Sequence, residues 1–508
     1  MSLHLDAELL LAVADSRTEV QSLTDPMRSE IGKLLRVMQK PYSGVKMQDY
    51  SSSWFWSTPT LNCFAADEVV TWMRGYINGL SRDSAVHLGI LMTKLGMIEA
   101  LQSSTKASFG AGEMFHVTRE YRPRLVIVGG GMSGFRVVKA LNDRFNIVLV
   151  DREGTMDLVP IYPIIIEDAK NLEEISFSHK QSFGNKAVCI TGVVKSVTDS
   201  HAIVETIETV PQNLLESSNS PNTFQISYDY IIFASGSTCW DALKDISVSP
   251  NSIHFVNPYS GESLAESHSV ISLTEDAICV LGGGFVGVEM AGALAHKYPN
   301  REIVIIHRSS HLMKSETIHK SVTSMFSQMK NVKVMMNAHL IGVEDSNQLK
   351  IKTNTGEETI KCSACFVCTG MKPQTDYLQH TFADSLDSKG FVRVNPHMQV
   401  MKNETESHAN IYAIGDITNF EETKLANCAH KHAKTASNVL SLVSQSKPVS
   451  SLPSYNARGF SQNQTVIIGP NHGLFVKGET VWLNNWVIGF MKEMSQRGKA
   501  KAMKSSNL

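Results

Sequence analysis

The sequence predicts an α/β protein: two units of parallel strands with covering helices, behind a small and mainly helical N-terminal unit. Three observations predict it. From Arg122 onward, strand-like apolar runs alternate with helical periodicity, the pattern of parallel sheets with crossover helices. Within that region Leu125-Val126-Ile127-Val128 leads into Gly129-Gly130-Gly131-Met132-Ser133-Gly134, and Ile278-Cys279-Val280-Leu281 leads into Gly282-Gly283-Gly284-Phe285-Val286-Gly287, two copies of G-x-G-x-x-G. Residues 29–118 have a different texture, with an apolar-periodic helix through Ile31, Leu34, Leu35 and Met38, an aromatic loop at Trp54, Phe55 and Trp56, and two further helical patterns.

Each glycine motif stands between a strand and a helix, the setting in which this fingerprint cradles a pyrophosphate. The first glycine (Gly129, Gly282) permits a tight turn, the second (Gly131, Gly284) lets the backbone approach the phosphates, and the third (Gly134, Gly287) allows close helix-to-strand packing. The phosphate charge then rests on a helix N-terminus. Two such units in tandem imply two Rossmann-like domains and two dinucleotides, hence electron transfer.

At 508 residues the chain has room for about three domains, and 42% hydrophobic content suffices for buried cores. A formal net charge of −2 argues against a nucleic-acid partner. Cysteines at 63, 189, 239, 279, 362, 365, 368 and 428 are scattered, several within apolar runs, as expected of reduced core thiols in an intracellular protein. Cys362, Cys365 and Cys368 have metal-like spacing. They lead into a strand, where residues three apart point to opposite faces, so no metal site is expected. The first residues carry no basic n-region, Ser2 does not fit N-myristoylation, and no apolar run reaches the ~18 residues of a spanning helix.

The expected boundaries are an extension over 1–28, the helical unit over 29–118, the first dinucleotide unit over 122–265 and 376–450, the inserted unit over 266–375, and a C-terminal region over 451–508. Residues 209–222 read as a surface hairpin or loop, 403–410 as a loop, and 426–442 as the last helix before Pro448. At the C-terminus Trp482, Leu483, Trp486, Val487, Phe490, Met491 and Met494 form one stripe at helical spacing, with Lys492, Arg497, Lys499, Lys501 and Lys504 beside it. That pattern suits an interfacial helix with a basic tail, or a helix packed on the protein.

The strand Ile147-Val148-Leu149-Val150 ends on Asp151, where a carboxylate accepts hydrogen bonds from ribose hydroxyls and disfavours a 2′-phosphate. In the second unit the corresponding strand ends on His307-Arg308. Arg308 could meet a 2′-phosphate or face solvent, so NADH and NADPH are both expected to serve.

Several residues resemble family landmarks. Asn62-Cys63-Phe64, Val69 to Met73, Ser81 to Val86 and Phe109 before Met114-Phe115-His116-Val117 resemble the DEP domain family, which implies a membrane or signalling role for residues 29–118. Ile411-Tyr412-Ala413-Ile414-Gly415-Asp416 resembles the second FAD fingerprint of the two-dinucleotide flavoproteins, and Ala234-Ser235-Gly236 and Thr369-Gly370 resemble their A-T-G and T-G elements. The resemblance implies that the second dinucleotide unit is inserted in the first, that Ala234, Gly236, Gly370, Gly415 and Asp416 line the cofactors, that Val194 contacts adenine, and that Glu289 is the nicotinamide-side carboxylate. From Gly282 to the C-terminus, through Val288-Glu289-Met290-Ala291 and Ile468-Gly469-Pro470-Asn471-His472-Gly473, the chain resembles the ferroptosis-suppressor, apoptosis-inducing-factor-like branch of FAD-dependent NAD(P)H:quinone oxidoreductases. Lys492 resembles by position a lysine near the flavin in that branch.

That branch implies hydride transfer from NAD(P)H to flavin and electrons onward to a quinone or another small acceptor. The Cys pair of disulfide reductases is missing: only Cys189 lies between Asp151 and Cys239, and Cys279 stands alone before Gly282. Membrane contact is expected through the C-terminal stripe or the DEP-like unit, in the cytoplasm or on the cytosolic face of a membrane. The competing readings are a DEP-containing redox-sensing scaffold with slow turnover and an NAD(P)H oxidase or diaphorase.

Overall fold

The computed structural model describes residues 5–483 apart from 16–17, 51–59, 102–108, 111–112, 212–213, 215–217, 221, 240–252, 314–315, 345–346, 458–462, 470–471 and 478–479. The aromatic loop at Trp54–Trp56 and residues 484–508, with Lys492, lie outside the described residues.

The N-terminal unit packs helices Ala7–Asp15, Asp25–Met38, Ala66–Tyr76 and Arg82–Lys94 with a four-stranded antiparallel sheet ordered 48–50, 60–65, 114–117, 98–100. Its core joins Leu10, Val13, Ile31, Leu34, Leu35, Phe64, Leu88 and Phe115. The expected boundary at residue 28 is corrected. Asp25–Met38 is one helix, because Pro26 occupies its first turn, where a missing N–H costs nothing and the fixed φ favours the helix. Residues of the supposed extension are thus part of this core.

Polar contacts seat the unit against the chain that follows. Arg144 meets Asp49 in a two-pronged pair, Nη1–Oδ1 3.0 Å and Nη2–Oδ2 2.5 Å. Asn62 Nδ2 donates to the Arg144 carbonyl at 2.8 Å, and the Tyr42 hydroxyl to the Lys447 carbonyl at 2.7 Å.

The first large sheet has six strands ordered 399–401, 407–413, 230–233, 124–128, 146–151, 188–191, all parallel except the first. Arg124–Val128 is buried along its whole length, as a central parallel strand covered on both faces must be. Helices Met132–Leu141 and Ala426–Ser444 pack together on one face, and an antiparallel sheet of strands 193–197, 201–205, 223–227 and 218–220 lies beside the other. Strand Ser407–Ala413 begins inside the expected 403–410 loop, since Met401 already pairs with Ser407.

The second large sheet runs 332–335, 303–306, 277–281, 356–367, 348–353, 339–344, with 254–256 also paired to 356–367. It therefore starts before residue 266. The short strand His254–Val256 adds in parallel beside Ala364–Phe366, and helix Gly261–Ile271 follows it.

Strands Asn463–Ile468, His472–Lys477 and Thr480–Leu483 make a last antiparallel sheet that packs on helix Phe285–Lys297, where Gly292 and Gly469 meet backbone to backbone. The start of the C-terminal stripe is corrected: Trp482 and Leu483 belong to a strand, in register with Phe475 and Leu474. Thr480, Val481 and Trp482 favour strands, and a partner of the same character decides between periodicities that a short apolar run leaves ambiguous.

Candidate functional site

The strand order brings the landmarks of the first unit to one edge. Gly129, Ala234, Gly415 and Asp151 stand at the C-terminal ends of four adjacent parallel strands, where open α/β sheets bind ligands. Backbone bonds stitch these ends together: Gly129 N–H to Val150 O at 2.8 Å, Ala234 N–H to Val128 O at 2.7 Å, and Ile414 N–H to Phe233 O at 2.9 Å.

Each glycine of the first loop meets a different constraint. Gly129 has φ +100°, and a Cβ there would strike the Ala234 carbonyl; a Cβ on Gly134 would strike the carbonyl of Gly129. Gly131, which precedes helix Met132–Leu141, has nothing within 4 Å of a Cβ and no side-chain cap beside it. Bare amides, a helix dipole and open space at one point suit a phosphate. The turn at Gly415 comes from the far end of the chain, yet its Cβ position lies 2.9 Å from Ser133 Oγ, in the first turn of that helix.

The second loop repeats this construction. Gly282 has φ +102° and abuts the Cys368 carbonyl, Gly287 abuts Gly282, and Gly284 has nothing within 4 Å. Gly370, at φ +51°, follows the neighbouring strand.

The side chains around the loops are less uniform. Asp151 Oδ2 accepts the Gly130 amide at 2.7 Å, while Oδ1 accepts the amides of Glu153 and Gly154, both at 3.0 Å. A carboxylate offers about four acceptor positions, so ribose hydroxyls fit the same group. Asp416 is half-buried, its Oδ2 accepts the Ser237 hydroxyl at 3.3 Å, and burial raises its pKa against the pull of Lys424 and Ser237. His307 stands where Asp151 stands, with Nδ1 accepting the Gly283 amide at 3.0 Å and Nε2 2.8 Å from the His311 carbonyl. The proton is thereby fixed on Nε2, and burial lowers the pKa of the ring. Arg308 is exposed.

Two expected site residues have partners within the protein. Glu289 Oε1 accepts the Ile467 amide at 3.1 Å and so ties the glycine helix to the C-terminal sheet. Val194 is buried in an apolar cluster with Val126, Val148 and Phe233.

Cys362 and Cys365 share one apolar cluster with Cys279, whereas Cys368 lies in another. The opposite-face expectation thus fails for the first pair: a register shift between Ala277↔Cys362 and Ile278↔Ala364 inserts a residue and restores the face.

Sequence reasoning missed two histidines. The ring of His179 packs against Gly130, with Nε2 2.9 Å from its carbonyl. His432 Nδ1 accepts the Gly415 amide at 3.1 Å. A helical pattern with a lone buried histidine was the available signal for His432; His179 lies in a short helix with no such pattern.

Residues 123–433 match the family model described as "Pyridine nucleotide-disulphide oxidoreductase". The chain belongs to the pyridine nucleotide-disulphide oxidoreductase family. It is accordingly an NAD(P)H-dependent flavin oxidoreductase, with FAD and NAD(P)H as its cofactors. Both loops fit that role by the room at Gly131 and Gly284. Apoptosis-inducing factor homolog B of Dictyostelium discoideum is 23% identical over 397 residues, 74% of this chain and 94% of that protein. Human ferroptosis suppressor protein 1 is 26% identical over 345 residues, 63% of this chain and 81% of its own length. Among solved structures, NDH2 from Plasmodium falciparum in complex with NADH has a TM-score of 0.60 at 14% identity, covering 75% of this chain and 97% of that one. The sulfide:quinone oxidoreductase of Aquifex aeolicus has a TM-score of 0.59 at 14% identity, covering 75% and 92%. In the sequence no cysteine pair flanks either glycine loop.

Proposed function

We propose that the chain is an NAD(P)H:quinone oxidoreductase that delivers electrons from its flavin to a lipophilic quinone without a dithiol relay. The observation that carries this reading is the state of Cys189 and Cys279, the cysteines that follow the first glycine unit and precede the second. Burial pushes Cys189 up to about 12. Contact with Cys362, together with burial, raises Cys279 well above the ordinary thiol value. Neither is a thiolate near neutral pH, so neither serves as a redox nucleophile. The acceptor then meets the flavin directly. The resemblance to ferroptosis suppressors and the likeness to a sulfide:quinone oxidoreductase favour a quinone.

Bound FAD supplies the two-electron carrier between nicotinamide and acceptor. Gly129, Gly131, Gly134 and Asp151 hold its pyrophosphate and ribose, and Ala234, Gly236, Gly415 and Asp416 orient its flavin half. Gly282, Gly284, Gly287, Glu289 and Gly370 hold NAD(P)H, with His307 and Arg308 toward its adenosine ribose. Among the described residues no helix is long and apolar enough to cross a membrane. A membrane-held quinone is reached from the surface, and the basic residues from Lys492 to Lys504 supply attraction to anionic lipid.

Steady-state oxidation of NADH and NADPH with a ubiquinone analogue, menadione or oxygen, with and without anionic liposomes, tests the reading. Multiple turnovers on the quinones, faster than on oxygen, are expected. Removing residues 484–508 slows the long-tailed quinone on liposomes and leaves ferricyanide reduction unchanged. Flavin reduction that stops after one equivalent with every quinone overturns the reading in favour of a redox-sensing scaffold, and equal rates with oxygen mark an oxidase.

A further inference from the structure

We propose that His432, held by Glu422 and Tyr455, is a positioning residue for the flavin, acting through the Gly415–Asp416 turn. The inference rests on the reading that FAD is seated at that turn.

The turn presents a specific problem to the chain. Gly415 has φ +77° and is buried, and its N–H points into protein instead of solvent. A buried N–H without a partner costs about 1–3 kcal/mol. The partner comes from helix Ala426–Ser444, whose His432 brings Nδ1 to 3.1 Å. To accept that bond, Nδ1 must be unprotonated, which leaves the ring proton on Nε2.

Glu422 faces Nε2. Its Oε1 lies 3.0 Å away, within contact distance though poorly aligned for a hydrogen bond, and the side chains of His432 and Glu422 are 1% and 0% exposed. The other oxygen, Oε2, accepts the Tyr455 hydroxyl at 2.5 Å. Burial alone would raise the Glu422 carboxyl; contact with His432 and Tyr455 outweighs it and holds the group below its ordinary value. A carboxylate against Nε2 is what orients an imidazole and selects its tautomer.

Apolar rings close the arrangement. Phe420 lies 5.3 Å from the His432 ring and 5.0 Å from Tyr455, whose edge meets His432 at 4.4 Å. Lys424 turns its ammonium to the carbonyls of Thr418, at 2.6 Å, and Phe420, at 3.1 Å, folding the loop after the turn back on itself. A buried, oriented chain of four groups therefore ends on the amide next to Asp416. Its anion is buried beside the Lys424 ammonium, where its charge is screened less than it would be in water and reaches whatever the turn holds.

The test uses the full-length protein stripped of flavin and titrated with FAD, followed by fluorescence and by dye-equilibrated redox titration. His432→Leu removes the acceptor and should weaken FAD binding roughly tenfold, the cost of one orphaned buried amide. His432→Asn offers a replacement oxygen and should recover most of that loss. Glu422→Gln keeps the shape and removes the anion, so FAD stays bound while the flavin midpoint potential moves to a more positive value. Wild-type affinity in His432→Leu together with a wild-type potential in Glu422→Gln overturns the proposal. If His432→Leu does not fold, the potential of Glu422→Gln decides alone, because a purely structural contact would not move it. Asp416→Ala separates the two levels of inference: full FAD affinity in that variant means the seat itself is misassigned, whereas lost affinity there beside unchanged His432 and Glu422 variants sinks only the positioning role.

Discussion

At the first glycine loop the amide of Gly130 is taken by a carboxylate, Asp151 Oδ2, at 2.7 Å; at the second the amide of Gly283 is taken by an imidazole, His307 Nδ1, at 3.0 Å. The backbones around these bonds are nearly the same, with φ +100° at Gly129 and +102° at Gly282, room at Gly131 and Gly284, and carbonyl contact at Gly134 and Gly287. The neighbours differ as well: His179 packs on Gly130, where Leu312 packs on Gly283. The loop geometry is thus the same in both units, and the side chain at the end of the next strand is what differs, so on the proposed function the choice of nucleotide falls to that side chain. An anion there repels a 2′-phosphate, and a neutral ring beside an exposed arginine does not.

The largest effects should come from breaking the loops one at a time. Gly134→Ala drives a methyl group into the Gly129 carbonyl, an overpacking of about 1–3 kcal/mol or more where backbone cannot yield. The variant should purify without flavin colour. Gly287→Ala places the same strain on the second loop. It should keep its flavin and lose about ten- to a hundredfold in the rate of reduction at low NADH, the same free energy read as a rate. Flavin loss in the second variant and not the first would exchange the two assignments.

How much of this was legible depends on the distance over which residues cooperate. Gly129 to Gly134 and Gly282 to Gly287 are local signatures, so strand, turn and helix could be read from a few adjacent letters. The pairing of Asp416 with the first loop was readable only through resemblance, because strands 230–233 and 407–413 reach the sheet from far along the chain. His432 and Glu422 gave no signal as a pair: their meeting depends on how the segment between the turn and the helix folds back. Pro26 misled because proline both ends a helix and suits its first turn, and residue context alone decides which. The short strand His254–Val256 has too few residues to show a period, and the Cys362–Cys365 geometry was hidden by a bulge that only the neighbouring strand reveals.

A smaller effect should follow from making the second loop resemble the first. His307→Asp restores a carboxylate that can accept the Gly283 amide. It should raise the KM for NADPH about tenfold relative to that for NADH, a neutral ring exchanged for an anion that repels the 2′-phosphate. An unchanged NADPH to NADH ratio would place the 2′-position away from residue 307. The same variant tests the tautomer. Burial sets the His307 pKa below its ordinary 6.5, so protonation opposes the Nδ1 contact that holds the Gly283 amide, and NADH binding should weaken as the pH falls below 6.5. Aspartate should remove this acid limb, and a limb that persists belongs to another group.

The smallest effect is expected at Arg308. Its side chain is exposed, so water and salt screen whatever it contributes. A solvated guanidinium that meets a 2′-phosphate still gains a charge-assisted contact, and NADH offers no such group. Arg308→Ala should therefore raise the KM for NADPH about threefold at low salt and leave that for NADH unchanged, with the difference shrinking as ionic strength rises. The salt dependence distinguishes direct contact from a general field: a field effect would act on the pyrophosphate of both coenzymes alike. Equal shifts for NADH and NADPH would leave Arg308 as a surface charge and assign all discrimination at this strand end to His307.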